Sequence, residues 1–314
     1  MTLFIYLFLC WLEQIKIDSL EIELILFSTL FVFWLSFVLF KNHFLIHGLN
    51  LIKQNIPNAL QYLYFKDFNI LEAIYKIGII PFIMGIFAVY QHILVEKNRK
   101  IYLLVAFAFA IFFLIWLKLI NLDIGLIYLS IILTVLSAQS FKAIATYLNK
   151  TKFTNKIWFT IGFSALILVT SVIPTVYYAH RTVAGGFNEQ EIMAFEWLKL
   201  NTPENSVVLA TVEEGNLVTA ISQRKNVADS NFILQHDADQ RIKDIGTVYT
   251  TIFETEALRI LDKYYVNYIL FSKRAQDDYD ITKILYSSDT KCFELVYDSQ
   301  TTIYQVKCKI EEVQ

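Results

Sequence analysis

The chain has 314 residues, of which 56% are hydrophobic, 16% aromatic and only 18% charged. A soluble domain carries roughly 25% charged residues, so an all-soluble protein is excluded, and a net charge of −2 offers no basic surface to a nucleic acid. Three cysteines and 4 prolines likewise exclude a disulfide framework and a long disordered linker.

The apolar residues are concentrated at one end. From Met1 to Tyr178 the chain is dominated by Ile, Leu, Phe and Val, whereas Asn188–Gln314 has the composition of an ordinary soluble domain. The composition therefore predicts a helical membrane domain over 1–180 and a soluble α/β domain over 188–314, with Gly185-Gly186 as the joint. The first apolar run, Met1–Leu12, is too short to span a bilayer, which needs about 20 residues. It has neither a basic leader nor a small-residue cleavage site, so it reads as a helix whose beginning is missing rather than as a signal peptide.

Five further windows have the length and character of spans: Ile22–Phe40, Ile74–Leu94, Ile101–Ile120, Leu122–Phe141 and Ile157–Tyr178. Pro81 and Pro174 fall inside two of them, which a bilayer tolerates where neighbours satisfy the freed carbonyls. Lys97, Arg99 and Lys100 crowd one short loop; Lys142, Lys150, Lys152 and Lys156 crowd another. Basic short loops stay cytoplasmic, so the last span exits and the C-terminal domain is extracytoplasmic. The loop Lys41–Ala73 fits this scheme poorly, with Lys41, Lys53 and Lys66. Its aromatics (Tyr62, Tyr64, Phe65, Phe68) suggest a segment lying along the membrane surface.

In the soluble part, helices are expected at Glu189–Leu200, Glu213–Ser222 and Phe253–Tyr265, and strands at Ser206–Ala210, Lys225–Ala228 and Tyr268–Phe271. A closing hairpin, Phe293–Tyr297 with Thr302–Val306, turns at Asp298-Ser299-Gln300. Strands alternating with helices and ending in a hairpin imply a mixed sheet covered by helices. The hairpin sets Cys292 opposite Cys308. Opposed Cβ atoms stand about 4.5–5.5 Å apart, beyond the usual disulfide spacing, so free thiols are favoured slightly over a bond.

The segments "LKLNTPENSVVLA", "NVADSN" and "LDKYYVNYILF", followed by "FELVYDSQTTIYQV", occur in the order found in one family. Together they resemble the extracytoplasmic domain of oligosaccharyltransferase catalytic subunits and related GT-C membrane glycosyltransferases, over about 120 residues. The membrane helices match that family's last ones by count alone. The resemblance implies transfer of a glycan from a polyprenyl phosphate carrier to a polypeptide acceptor, with membrane lipid as a further partner. The family's WWDYG motif, which grips the hydroxyl residue of an acceptor sequon, would fall at Thr211–Gly215, where this chain has Thr-Val-Glu-Glu-Gly. Only an acid and the glycine persist. The carboxylates that hold a divalent metal in the family lie near the start of a chain about twice this length and have no counterpart here. The chain therefore looks like the C-terminal half of such an enzyme, inactive alone, needing metal only through a separate catalytic half. The alternative is a non-catalytic, membrane-anchored binding or assembly module. A transporter is disfavoured, because neither an inverted repeat nor a buried charge pair marks a midplane site.

The candidate acceptor contacts are Glu213, Glu214, Gly215 and Asn216, after a strand and at the start of a helix, with Asp229 after the next strand. Two acids at a helix start also complement its dipole, a glycine eases a turn, and an Asp after a strand forms Asx turns. His236-Asp237-Ala238-Asp239 groups possible ligands, but a solvated loop with a helix cap explains it more simply. His43, His47 and His92 lie near membrane boundaries with no carboxylate companions, which speaks against a metal site.

The lysine distribution makes a direct prediction. With native cysteines removed, a cysteine at Ser299 should react with an impermeant reagent on intact cells, and one at Asn98 should not. The opposite pattern would reverse the orientation.

Overall fold

The computed structural model describes residues 1–65, 69–95, 99–151 and 155–310. Lys66, Phe68, Lys97, Asn98 and Lys152, which entered the topology argument, lie outside them. The chain forms two compact units, Met1–Lys41 with Gln61–Gly185, and Asn42–Leu60 with Gly186–Gln314.

The first unit is helical: α1 (Thr2–Leu12), α2 (Ser19–His47, whose last turns belong to the second unit), α3 (Gln61–Tyr64), α4 (Ile70–Ile77), α5 (Ile79–Tyr90), α6 (Arg99–Trp116), α7 (Leu122–Lys150) and α8 (Lys156–Ala184). Its core packs Cys10, Ala88, Tyr102, Val105, Ala106 and Leu136, all with no exposed surface, around α6 and α7. Among the described residues, three helices are long and apolar enough to cross a membrane, in α2, α7 and α8. The chain is a membrane protein. The α2 segment carries no buried residue at all, which only a surrounding lipid or protein phase makes tolerable.

Two of the five expected windows look different in the structure. Ile101–Ile120 forms the shorter helix Ile101–Trp116, and Ile74–Leu94 is a pair of helices meeting at 98°. The cause of the bend is Gly78, at φ +98°, where a Cβ would press 3.3 Å from Thr170 O and Ser171 Oγ. Pro81 therefore lies in the first turn of α5, where its missing N–H costs nothing, and not in the middle of one long helix. Pro174 does lie inside α8. Lys76, at the end of α4, pairs with Glu72 at 2.9 Å and Asp123 at 2.7 Å. Arg99 pairs with Glu21, which also accepts from the Tyr6 hydroxyl at 2.6 Å.

The second unit is α/β. It runs α9 (Glu189–Asn201), β1 (Val207–Leu209), α10 (Val212–Leu217), β2 (Lys225–Asn226), α11 (Ala238–Thr250), α12 (Glu254–Lys263), β3 (Tyr268–Phe271), α13 (Lys273–Tyr279), β4 (Phe293–Asp298) and β5 (Thr302–Val306). The strands make one mixed sheet in the order β2-β1-β3-β5-β4, with β1, β2 and β3 parallel and the hairpin antiparallel to β3. Phe195, Leu198, Val208, Val218, Leu270 and Ile303 form the core between sheet and helices. Asn188 starts α9 with a reciprocal cap to Glu191, and Thr202-Pro203 ends it, because the residue before proline avoids helical geometry. Asp244 accepts from Lys263 and Tyr264, both at 2.7 Å, and thereby ties α11 to α12.

β3 and β5 span the residues expected of them, and the other strands lie within one or two residues of theirs. The bodies of α11 and α13 were not anticipated. In the hairpin, a bulge between Leu295 and Tyr297 shifts the register by one, so Phe293 faces Val306. Cys292 and Cys308 are nevertheless joined in a disulfide, with Cα atoms 4.8 Å apart. The preference for free thiols is corrected. Both cysteines stand just outside the ladder, where the backbone can close in without breaking strand hydrogen bonds.

The bridge closes a loop of sequence separation 16, for which chain-entropy arguments give at most about 3 kcal/mol. Replacing both cysteines by serine should lower the unfolding free energy of the detergent-solubilised chain by no more than that. A larger loss in denaturant titration would mean that the serines also disturb packing.

Candidate functional site

In an open sheet, ligands collect at the carboxyl ends of parallel strands, where loops diverge and helix starts point outward. Here those ends are Thr211–Asn216 after β1, Val227–Asn231 after β2, and Ser272–Arg274 after β3. Sequence reasoning placed Glu213, Glu214, Gly215, Asn216 and Asp229 as candidates, and the sheet brings all five to this one edge.

They occupy different situations. Glu213 is exposed and receives Arg274 Nη1 at 3.0 Å. Glu214 is 1% exposed and turned back on its own helix start. Its carboxylate accepts from the Thr211 hydroxyl at 2.9 Å and the Thr211 N–H at 3.2 Å, completing a capping box. Burial pushes the Glu214 carboxyl above its ordinary value, against hydrogen bonds from Ser272 and Thr211 that pull it down. Gly215 is required by closeness rather than by a turn, because a Cβ there would collide with the Ala228 carbonyl. Asn216 Oδ1 accepts from the Ser230 hydroxyl at 3.1 Å. Asp229 accepts from the Asn231 N–H at 2.8 Å and from the amides of Gln235 and Asn226 at 3.1 and 3.2 Å.

Residues that the sequence did not single out hold this edge together. The Asn226 side-chain amide donates to the Gly215 carbonyl and to Thr219 Oγ1, each at 2.8 Å, besides Asp229. Arg274 lies 3.8 Å over the Phe187 ring and 3.9 Å from Glu191, as well as beside Glu213. Burial raises the Asp278 carboxyl, Glu213 adds to the effect and Arg274 opposes it. Tyr249 donates to the Leu270 carbonyl at 2.7 Å and stacks on Tyr279 at 5.0 Å, closing the floor below. Asn226 belongs to "NVADSN", so its place in a short strand was a usable signal. Arg274 had none, because α13 was not foreseen.

This edge does not suit a hard divalent cation. Glu213 is neutralised by Arg274, Glu214 is spent on its cap, and Asp229 is filled by three donors. Elsewhere among the described residues, Glu254 and Asp289 approach Cys292, but that sulfur is bonded to Cys308. Asp239 accepts from the Asn58 N–H at 2.9 Å.

No protein-family model matches the chain, and no curated protein matches its sequence. Solved structures do. The archaeal oligosaccharyltransferase AglB from Archaeoglobus fulgidus, in complex with an inhibitory peptide and a dolichol-phosphate, superimposes with a TM-score of 0.51 at 16% identity over 85% of this chain and 36% of that one. The apo form of the Archaeoglobus fulgidus oligosaccharyltransferase gives 0.50 at 17% identity over 66% and 28%. The chain has an oligosaccharyltransferase-like fold. It spans about a third of the length of the structures it matches.

Two substitutions probe the edge. Gly215→Ala must push α10 away from the backbone that leaves β2, and overpacking of this kind costs about 1–3 kcal/mol in unfolding experiments. Because Glu214 binds its proton more tightly folded than unfolded, its contribution is fully present below pH 4.5, its ordinary value, and is lost as pH rises above it. The stability difference between Glu214→Gln and the native chain should therefore move in the variant's favour from about pH 4.5 upward. A difference independent of pH would contradict the raised carboxyl.

Proposed function

We propose that this protein is a GT-C glycosyltransferase-type membrane component of lipid-linked sugar transfer, and that its α/β unit contacts the acceptor at the carboxyl edge of the sheet. The single observation that carries the reading is the oligosaccharyltransferase-like fold over 85% of the chain. AglB was captured with a peptide and a dolichol-phosphate; by analogy the partners are a polypeptide acceptor and a polyprenyl-phosphate-linked glycan. The basic loops support a multi-pass arrangement with residues 188–314 outside the cytoplasm. In this reading Glu213, Asn216 and Asp229 face the acceptor, while Glu214 and Gly215 build the loop that presents them. The reacting carboxylates and their divalent metal belong to a separate catalytic half, because the acids at this edge are all engaged.

That engagement also favours the second reading, a non-catalytic module that binds or orients a partner. Glu214 caps a helix, Glu213 pairs with Arg274, and the aromatic residues of the family motif are replaced at Thr211–Gly215.

One experiment tests both readings. The 314-residue chain in lipid nanodiscs is given a lipid-linked donor, divalent metal and a fluorescent peptide with an Asn-x-Thr sequon. Binding without transfer is expected, with affinity reduced by Glu213→Ala. Turnover would place catalytic acids among residues read here as structural. Absence of peptide binding would remove the acceptor role.

A further inference from the structure

We propose that the cavity between α12 and the segment that follows β5 is a binding site for a neutral saccharide. Its volume is about 880 Å³, within the roughly 300–1,000 Å³ of small-molecule sites. Its walls come from α11, α12, the start of β3 and residues 306–310, all in the second unit.

Tyr265 carries the argument. α12 ends in a Schellman turn, in which the Tyr265 N–H bonds to the Asp262 carbonyl at 3.0 Å and the Val266 N–H to the Leu261 carbonyl at 2.9 Å. The left-handed residue of such a turn is usually glycine, because a Cβ is strained there. Here it is a tyrosine at φ +55°. A bulky side chain in that conformation is an outlier, and strain of this kind collects at functional sites. Packing does not account for the ring: Tyr265 is 79% exposed and meets no other ring or cation among the described residues. Tyr264 beside it is covered by Lys263 and Arg241. An aromatic face held in water at a cavity wall offers a platform to the C–H face of a sugar ring.

The charges around the cavity decide the ligand class. Lys263 is paired with Asp244 at 2.7 Å. Arg259 and Lys309 line the same cavity and make no ion pair among the described residues. Glu256 accepts from the Thr251 hydroxyl and Asp262 from the Ile310 N–H, both at 2.6 Å and each through one carboxylate oxygen. Two cations and two carboxylates with bonding capacity to spare thus face one space. An anionic ligand would be repelled by Glu256 and Asp262, and an ammonium by Arg259 and Lys309. Hydroxyl groups both donate and accept, so a sugar suits all four.

The wall is preformed. The Cys292–Cys308 bridge and the bond from Ile310 to Asp262 fix the segment that carries Lys309, which leaves little to be ordered on binding. The cavity lies at the amino end of β3, opposite the carboxyl edge, and does not rest on the proposed glycosyl transfer.

The full chain in nanodiscs is mixed with maltose, cellobiose or N,N′-diacetylchitobiose at millimolar concentration, and saturation-transfer NMR reads binding through the sugar ring protons. At least one disaccharide should bind. Tyr265→Gly should weaken it about three- to tenfold, the worth of one aromatic contact. Arg259→Met should weaken it about tenfold or more, the worth of hydrogen bonds from a charged group. Tyr265→Gly should leave the melting temperature no lower than that of the native chain, because glycine is the favoured residue at that turn. A clearly lower melting temperature would make the tyrosine structural and overturn its role. So would binding of none of the three sugars, affinity unchanged in either variant, or inorganic phosphate bound more tightly than the sugars.

Discussion

The contact between Gly215 and the carbonyl of Ala228 sets the distance between the two strand ends on which the candidate site is built. With no side chain at 215, the first turn of α10 settles against the backbone that leaves β2, and the Asn226 amide bonds to both sides of the junction. Everything that follows on that edge inherits this spacing. Asn216 meets Ser230 across it, and Asp229 is aimed by the same amide that holds Gly215. The carboxylate of Glu214, buried and raised by desolvation, is tolerable there because Thr211 and Ser272 supply donors to it.

Acidic residues thus divide their labour by depth. Glu191 and Glu214 both occupy the third position of a helix and close capping boxes. Each carboxyl is held by the helix start and by reciprocal hydrogen bonds, which for Glu214 offset only part of the cost of burial. Glu213, one residue away, points outward and is met by Arg274 across the gap between β1 and β3. An exposed pair of this kind contributes little to stability. Its interest is that both partners stand where a ligand of an open sheet would lie.

The membrane unit obeys a different accounting. A helix such as α2, apolar through its middle and with no buried residue, satisfies its own backbone and needs an apolar medium around those side chains. Some charges meet near helix ends, where Lys76 finds Asp123 and Glu72, and Arg99 finds Glu21. Gly78 turns α4 into α5 by using a backbone conformation open to glycine and few other residues, so one apolar window becomes two helices.

Much of this was legible in the order of residues. The shift in composition near residue 186 separated apolar helices from a mixed sheet, because burial in lipid and burial in a small core demand different side-chain patterns. β3 was readable from a run of four large apolar residues, and the edge of the sheet from five residues following short strands. What the sequence alone could not supply was distance. Whether Gly215 served a turn or a close approach depends on where Ala228 lies. Whether Cys292 and Cys308 meet depends on a one-residue bulge. The partner of Glu213 is an arginine 61 residues away, and the neighbour of His47 is a histidine brought in by a loop packed against Asn55. Local propensity and periodicity act over a few residues, so the sequence by itself determined the class of each segment. Contacts between segments arise only when the chain is packed, and the tertiary structure decided which side chains share a site.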